Sequence, residues 1–166
     1  MSTRAEELRQ RLVRNIDEVA LEHDRRDPLY EWRTASLALG TAAVKLGASI
    51  DEVPPGKRAC PYHLHHAQEE LFVVLAGSGH LRVAGEMVPV KAGDVVFIPA
   101  GSDYPHQFVN TSDAPLRYLS ISTRETPEVC EYPDSGKVMA FSRAGREPLR
   151  QISRPADSLD YWDGEP

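Results

Sequence analysis

Near the start of the chain, apolar side chains recur at helical spacing: Leu8, Leu12, Ile16 and Val19 stand four, four and three residues apart. Thr3 followed by Glu6 matches a capping box, and Glu6 and Glu7 place negative charge where a helix dipole favours it. The pattern predicts a solvated helix lying against the main body, ended by the charged stretch 23–28. From about Trp32 the texture changes to short runs of Val, Leu, Ile and Tyr broken by Gly and Pro. Residues 33–37, 43–53, 71–75, 80–83, 87–90, 95–98, 106–109, 116–123 and 138–141 read as strands. Between them GSG at 77–79, AGE at 84–86, KAGD at 91–94, PAGSD at 99–103 and NTSD at 110–113 supply turn chemistry. Short strands at regular spacing predict an all-β sandwich or barrel. No alternation of strand with helix supports a doubly wound sheet.

Length and charge narrow the picture. With 166 residues the chain is expected to form one domain, 1–166, with its barrel core at about 45–125, a helical or extended segment at 1–31 and a tail at 143–166. Nineteen Lys and Arg against 25 Asp and Glu leave a net charge of −6, which argues against a nucleic-acid partner. The apolar runs 71–76 and 95–98 fall far short of the ~20 residues of a membrane helix. The opening STRAEELRQRLVRN has no apolar secretory core, so a cytoplasmic location is expected. Two cysteines, Cys60 and Cys130, make neither a disulfide framework nor a zinc ribbon. The tail runs from basic to acidic, and Tyr161 and Trp162 near its end are expected either to pack on the surface or to pin it to the barrel or a partner subunit.

Chemistry concentrates around the histidines. Six occur, at 23, 63, 65, 66, 80 and 106, and three of them lie in PYHLHHA, followed at once by Gln68, Glu69 and Glu70. In an extended segment His63 and His65 share one face and His66 takes the other. With a carboxylate from the next strand they would form a mixed nitrogen–oxygen site for Fe, Mn, Ni or Zn. On periodicity alone, a surface cluster of histidines fits as well.

The wider spacing resembles a known family. Gly56-(6)-His63-x-His65-(4)-Glu70-(6)-Gly77 resembles the first motif of the cupin superfamily, and Gly93-(5)-Pro99-x-Gly101-(4)-His106-(3)-Asn110 resembles its second. Six residues rather than five precede His63, and four rather than two separate Gly101 from His106; both departures fall in loops, where insertion is tolerated. The flanking run from LGASIDEV to LRV, with PEVCEYPDSGK and YWDGE, is similar to a single-domain bacterial cupin-2 group of sugar-phosphate-isomerase-like proteins. The resemblance implies a jelly-roll barrel, a double-stranded β-helix, with one divalent transition metal per chain (Fe, Mn, Ni or Zn) on His63, His65, Glu70 and His106. Glu70 is preferred to Glu69 because it keeps the step to Gly77 and shares a strand face with Phe72 and Val74.

The implied activity is that of a metal-dependent enzyme on a small polar, oxygen-rich substrate, with isomerase or epimerase chemistry and Glu69, Tyr62 or Tyr104 as candidate catalytic base. A cupin-type Fe(II) dioxygenase, or a non-catalytic binding or sensor module, are the alternatives. A homodimer is implied as well, since unpaired sheet edges invite association. His23 and His80 are expected at the surface, and His66 is expected to point away from the metal. Cys60 reads as a packed hydrophobe able to approach the pocket mouth, with Tyr62, Tyr104, Gln107 and Tyr118 as pocket-lining groups.

Overall fold

The computed structural model describes residues 2–166. After a helix α1 (Arg4–Leu12) come thirteen strands: β1 (Glu22–Arg26), β2 (Tyr30–Ser36), β3 (Leu46–Val53), β4 (Leu64–His65), β5 (Glu70–Ala76), β6 (Ser78–Val83), β7 (Glu86–Lys91), β8 (Val95–Ile98), β9 (His106–Val109), β10 (Leu116–Thr123), β11 (Glu128–Tyr132), β12 (Lys137–Ser142) and β13 (Leu149–Ser153). One layer is a six-stranded antiparallel sheet in the order β1-β2-β3-β10-β5-β8. Facing strands form a four-stranded sheet, β13-β12-β11-β4, and a three-stranded sheet, β7-β6-β9. An antiparallel bridge between His63 and His106 ties these two together. The architecture is the all-β jelly roll that the family resemblance implies.

Side-chain alternation gives each strand an inner and an outer face, and the inner face changes character along its length. On β3 it runs Ser49, Asp51, Val53; on β5 Glu70, Phe72, Val74; on β10 Ser120, Tyr118, Leu116; on β9 His106, Phe108. The apolar ends meet in one core of Val53, Phe72, Val74, Leu81, Val90, Ile98, Phe108, Leu116 and Tyr118. Phe72, Phe108 and Tyr118 pack ring on ring there, with Phe108 and Tyr118 stacked at 4.4 Å. The polar ends meet at the opposite end of the barrel.

Turn residues hold this arrangement in register. Asn110 is fully buried: its amide donates to the carbonyls of Val53 and Ala114, each at 2.8 Å, and its oxygen accepts from the backbone and hydroxyl of Ser112. Gly77 joins β5 to β6 with φ +79°, and a Cβ there would stand 2.2 Å from the Pro115 carbonyl oxygen. Gly77→Ala therefore combines backbone strain with a backbone clash. We expect it to cost about 3 kcal/mol, seen as a fall in melting temperature of roughly 6–12 °C.

Three features differ from the sequence expectation. The helix ends at Leu12, where Val13 turns extended, and Ile16 and Val19 lie outside it, half-buried. Backbone and arginine contacts, Ala42 N–H to Arg11 O and Arg117 to Asp17 and Ile16 O, tie this segment to the barrel and replace the continued helix. The charged stretch 23–28, expected only to end the helix, is mostly the edge strand β1, and His23 sits in it beside Glu31. The tail adds a strand, β13, onto β12, but Tyr161 and Trp162 stay exposed, edge to face with each other, and do not pin it to the barrel.

Candidate functional site

Three strands deliver the site at the polar end of the barrel. His63 and His106 exchange both backbone hydrogen bonds, at 3.1 and 2.7 Å, so their side chains leave adjacent backbones on the same side. Glu70 opens β5 opposite Ile98 and Ser122. The ligating atoms of His63, Glu70 and His106 lie within 4.8 Å of one another. His65 joins from β4, with its Nε2 3.4 Å from Glu70 Oε2.

The outer ring nitrogens fix which atoms face inward. Nδ1 of His63 lies 2.8 Å from the Pro61 carbonyl, Nδ1 of His106 3.3 Å from the Tyr104 carbonyl, and Nδ1 of His65 3.3 Å from the Glu128 carboxylate. All three partners only accept, so each Nδ1 carries the proton and each Nε2 offers a lone pair. His106 Nε2 then faces Glu70 Oε2 at 2.8 Å, lone pair toward carboxylate. Despite that distance the alignment is not that of a hydrogen bond, and both buried atoms are left without a partner. Two converging, unsatisfied donors of electron density are what a cation would satisfy, and the donor set suits a divalent transition metal.

Electrostatics agree with this reading. Burial, helped by the charge of His106, pushes His63 down to about 4. Burial pushes Glu70 up, but contact with His106 and the charges of His106, His65 and His63 outweigh it and hold the carboxyl below its ordinary value. The metal-free protein should therefore lose stability in mild acid. The unfolded chain protonates His63 near pH 6.5 while the folded chain resists to about 4, so U binds more protons in that window. Stability should fall as pH drops through it, measurable by denaturant titration at stepped pH.

Residues 49–122 match the Cupin_2 family, described as a cupin domain. This chain carries a cupin domain. It is 34% identical over 70 residues, 42% of this chain and 55% of the other, to an oxalate-binding protein of Thermotoga maritima; the match spans about half of that relative's length. A candidate sugar phosphate isomerase from Acidithiobacillus ferrooxidans superposes with a TM-score of 0.78 at 26% identity, over 92% of this chain and 97% of the other. The polyketide cyclase RemF from Streptomyces resistomycificus superposes with a TM-score of 0.59 at 28% identity, over 70% and 82%. These similar proteins are named for different activities, so the shared fold does not choose among them.

Beside the cupin cluster lies a cavity of about 240 Å³, lined by Trp32, Ser49, Asp51, Cys60 and Tyr118 together with His63, Glu70 and His106. The candidate bases lie elsewhere. Glu69 is exposed and lines a hollow on the outer side of the sheet, Tyr62 is buried with its hydroxyl accepting from Gly85 N–H under Arg82, and Tyr104 is exposed. Gln107 also turns away, donating to the Cys60 carbonyl at 2.6 Å. Cys60 does line the cavity, and burial pushes its thiol up, so it stays protonated. Tyr118 lines it too, its phenol raised by burial. His66 points outward to Glu131 at 2.7 Å, and His80 pairs with Thr111.

Two carboxylates escaped the sequence reading. Asp51 is 9% exposed on the inner face of β3 and accepts from the Ser49 hydroxyl at 2.7 Å. Burial pushes its carboxyl up, with Ser49 and Thr34 hydroxyls pulling it back and the Glu70 charge adding to the rise. Glu128 on β11 is 3% exposed and accepts from the backbone N–H groups of His66, Ala67 and Gln68 as well as facing His65. A signal for Asp51 was present: in ASIDEV, alternation puts Ser49 and Asp51 on the face of Val53.

Proposed function

We propose that this cupin is a metal-dependent enzyme acting on a small, oxygen-rich molecule, with a single divalent transition metal held by His63, His65, Glu70 and His106. The observation that carries the reading is the convergence of imidazole lone pairs on the unsatisfied Glu70 Oε2. A metal bound there would supply Lewis-acid polarisation of a carbonyl or hydroxyl, the chemistry of isomerisation and epimerisation. The chain's own residues do the rest. Outer-nitrogen partners lock the imidazoles, Phe72, Phe108 and Tyr118 close the floor to water, and Asp51 stands in the cavity wall as a carboxylate able to take a substrate proton. That role falls to Asp51 rather than Glu69, Tyr62 or Tyr104, none of which lines the cavity.

The test is elemental analysis of untagged protein, before and after reconstitution. Near-stoichiometric Fe, Mn, Ni or Zn is the expected result, and no metal under either condition would overturn the reading. The same reading takes the protein as a cytoplasmic homodimer. Edge strand β8 supports the pairing, because Phe97 and Val95 stand exposed on it. Sedimentation velocity should give twice the chain mass, and a monomer at micromolar concentration would refute it.

A further inference from the structure

The cavity wall opposite the histidines has a composition that selects its ligand. No lysine or arginine lines it. The cations beside lining residues on β2 and β10 are paired away from it, Arg33 with Glu52 and Arg117 with Asp17, as is Arg82 with Asp134 at 2.6 and 2.8 Å, and Arg58, next to Ala59, is not among the lining residues. What the wall does offer is a carboxylate, two serine hydroxyls, the Tyr118 phenol, the Cys60 thiol and an indole. Asp51 and Ser49 lie two residues apart on the inner face of β3, Ser120 stands opposite Ser49 on β10, and Trp32 closes the side from β2.

Apart from a metal ion itself, the protein groups that hold phosphates and dicarboxylates are arginine forks, lysines or clustered backbone N–H groups at helix N-termini. The one α-helix among the described residues, α1, contributes nothing to this cavity. Charge balance points the same way. Three neutral imidazoles, the Glu70 carboxylate and a divalent ion sum to +1, and an ionised Asp51 brings the site to zero. A neutral ligand keeps it there, whereas a dianion leaves two uncompensated charges beside the Asp51 and Glu70 carboxylates. Size is also restrictive. The volume of about 240 Å³ lies below the roughly 300–1,000 Å³ of drug-sized pockets and matches about eight waters at ~30 Å³ each.

We infer that this cavity takes an uncharged small hydroxy-carbonyl or polyol, its hydroxyls donating to Asp51 and meeting Ser49 and its carbon face against Trp32, and that it discriminates against phosphorylated and dicarboxylate relatives. The inference rests on the reading of this site as a metal-assisted small-molecule site, and it departs from the anionic ligands named for two of the similar proteins. Asp51 is then the residue that sets specificity: it rewards hydroxyl donors and repels anions.

Trp32 reports on the cavity directly. Only two tryptophans occur, and Trp162 is exposed in the tail, so Trp162→Phe leaves Trp32 as the sole indole. In that background, loaded with Zn and with metal content measured on the same samples, fluorescence titrations would use dihydroxyacetone, dihydroxyacetone phosphate and oxalate. Dihydroxyacetone is expected to bind at least tenfold more tightly than either anion. Asp51→Asn, which keeps shape and removes charge, should weaken dihydroxyacetone and tighten oxalate, each by several-fold. Ser49→Ala serves as a second probe of the same wall if the Asp51 variant does not fold, and should weaken dihydroxyacetone while leaving oxalate unimproved. Tighter binding of the phosphate or oxalate by the parent protein overturns the inference, as does silence toward all three probes. With metal present, either outcome leaves the metal reading standing. Samples that take up no metal yet still prefer dihydroxyacetone overturn the metal reading and leave the ligand class intact.

Discussion

Alanine at His106 should lower affinity for a divalent metal by at least about a hundredfold, while alanine at His66 should leave it unchanged. Loss of a partner that merely orients a ligating histidine costs about 10–100-fold, so loss of a ligand should cost no less. The comparison is sharp because His66 belongs to the dense histidine run and His106 does not. Strand alternation turns His66 outward, where its ring meets Glu131 in solvent, whereas the His63 bridge carries the 1%-exposed His106 ring onto Glu70. Calorimetric titration of Zn or Ni into metal-free protein measures both. His106→Gln, which keeps most of the buried volume, separates a lost ligand from a damaged core. Equal losses at His66 and His106 would mean that metal binds the exposed cluster and not the barrel.

Glu128→Ala should produce the largest loss of stability of any single change near the site. Its carboxylate gathers three backbone N–H groups, at 3.1, 3.2 and 3.0 Å, that close the turn after β4, and it also receives His65 Nδ1. A hydrogen bond to a charged group is worth about 1.5–3 kcal/mol, and donors orphaned together do not add fully. We expect about 3–5 kcal/mol, or roughly 6–20 °C in melting temperature at this chain length. Metal affinity should fall as well, by about 10–100-fold, because the His65 ring loses its orienting partner. Glu128→Gln keeps one acceptor oxygen but turns an NH2 toward N–H donors, so it should recover only part of the stability. A melting temperature within 2 °C of the parent for Glu128→Ala would contradict this account.

Strands bounded by clear turn residues were legible in the sequence to the residue: β8, β9 and β10 begin and end as their sequence runs do. Elements held by backbone pairing alone were not. β1 reads EHDRR, with no apolar face, and becomes a strand because β2 offers it a ladder. Helix α1 was overread because Ile16 and Val19 continue the helical spacing, although they sit in a turn and a bend beyond the helix end. At the site, spacing singled out His63, His65, Glu70 and His106, which the fold brings close together. Glu128 was invisible, since β11 carried no strand signal and its partners are backbone groups far back in the chain. Asp51 was readable only by asking which face of ASIDEV points inward, and pattern alone does not say.

The lengthwise division of the barrel interior also bears on how such a protein can change over time. Stability is concentrated in Val53, Val74, Phe108 and Leu116 at one end, and ligand choice in Ser49, Asp51 and Ser120 at the other, although the same strands carry both. Substitutions at the polar end remove small, hydrogen-bonding groups rather than packed volume, so new ligand preferences can arise at little cost to folding. A lineage built this way can explore many substrates on an unaltered frame, drifting at one rim of the barrel while the other is held still.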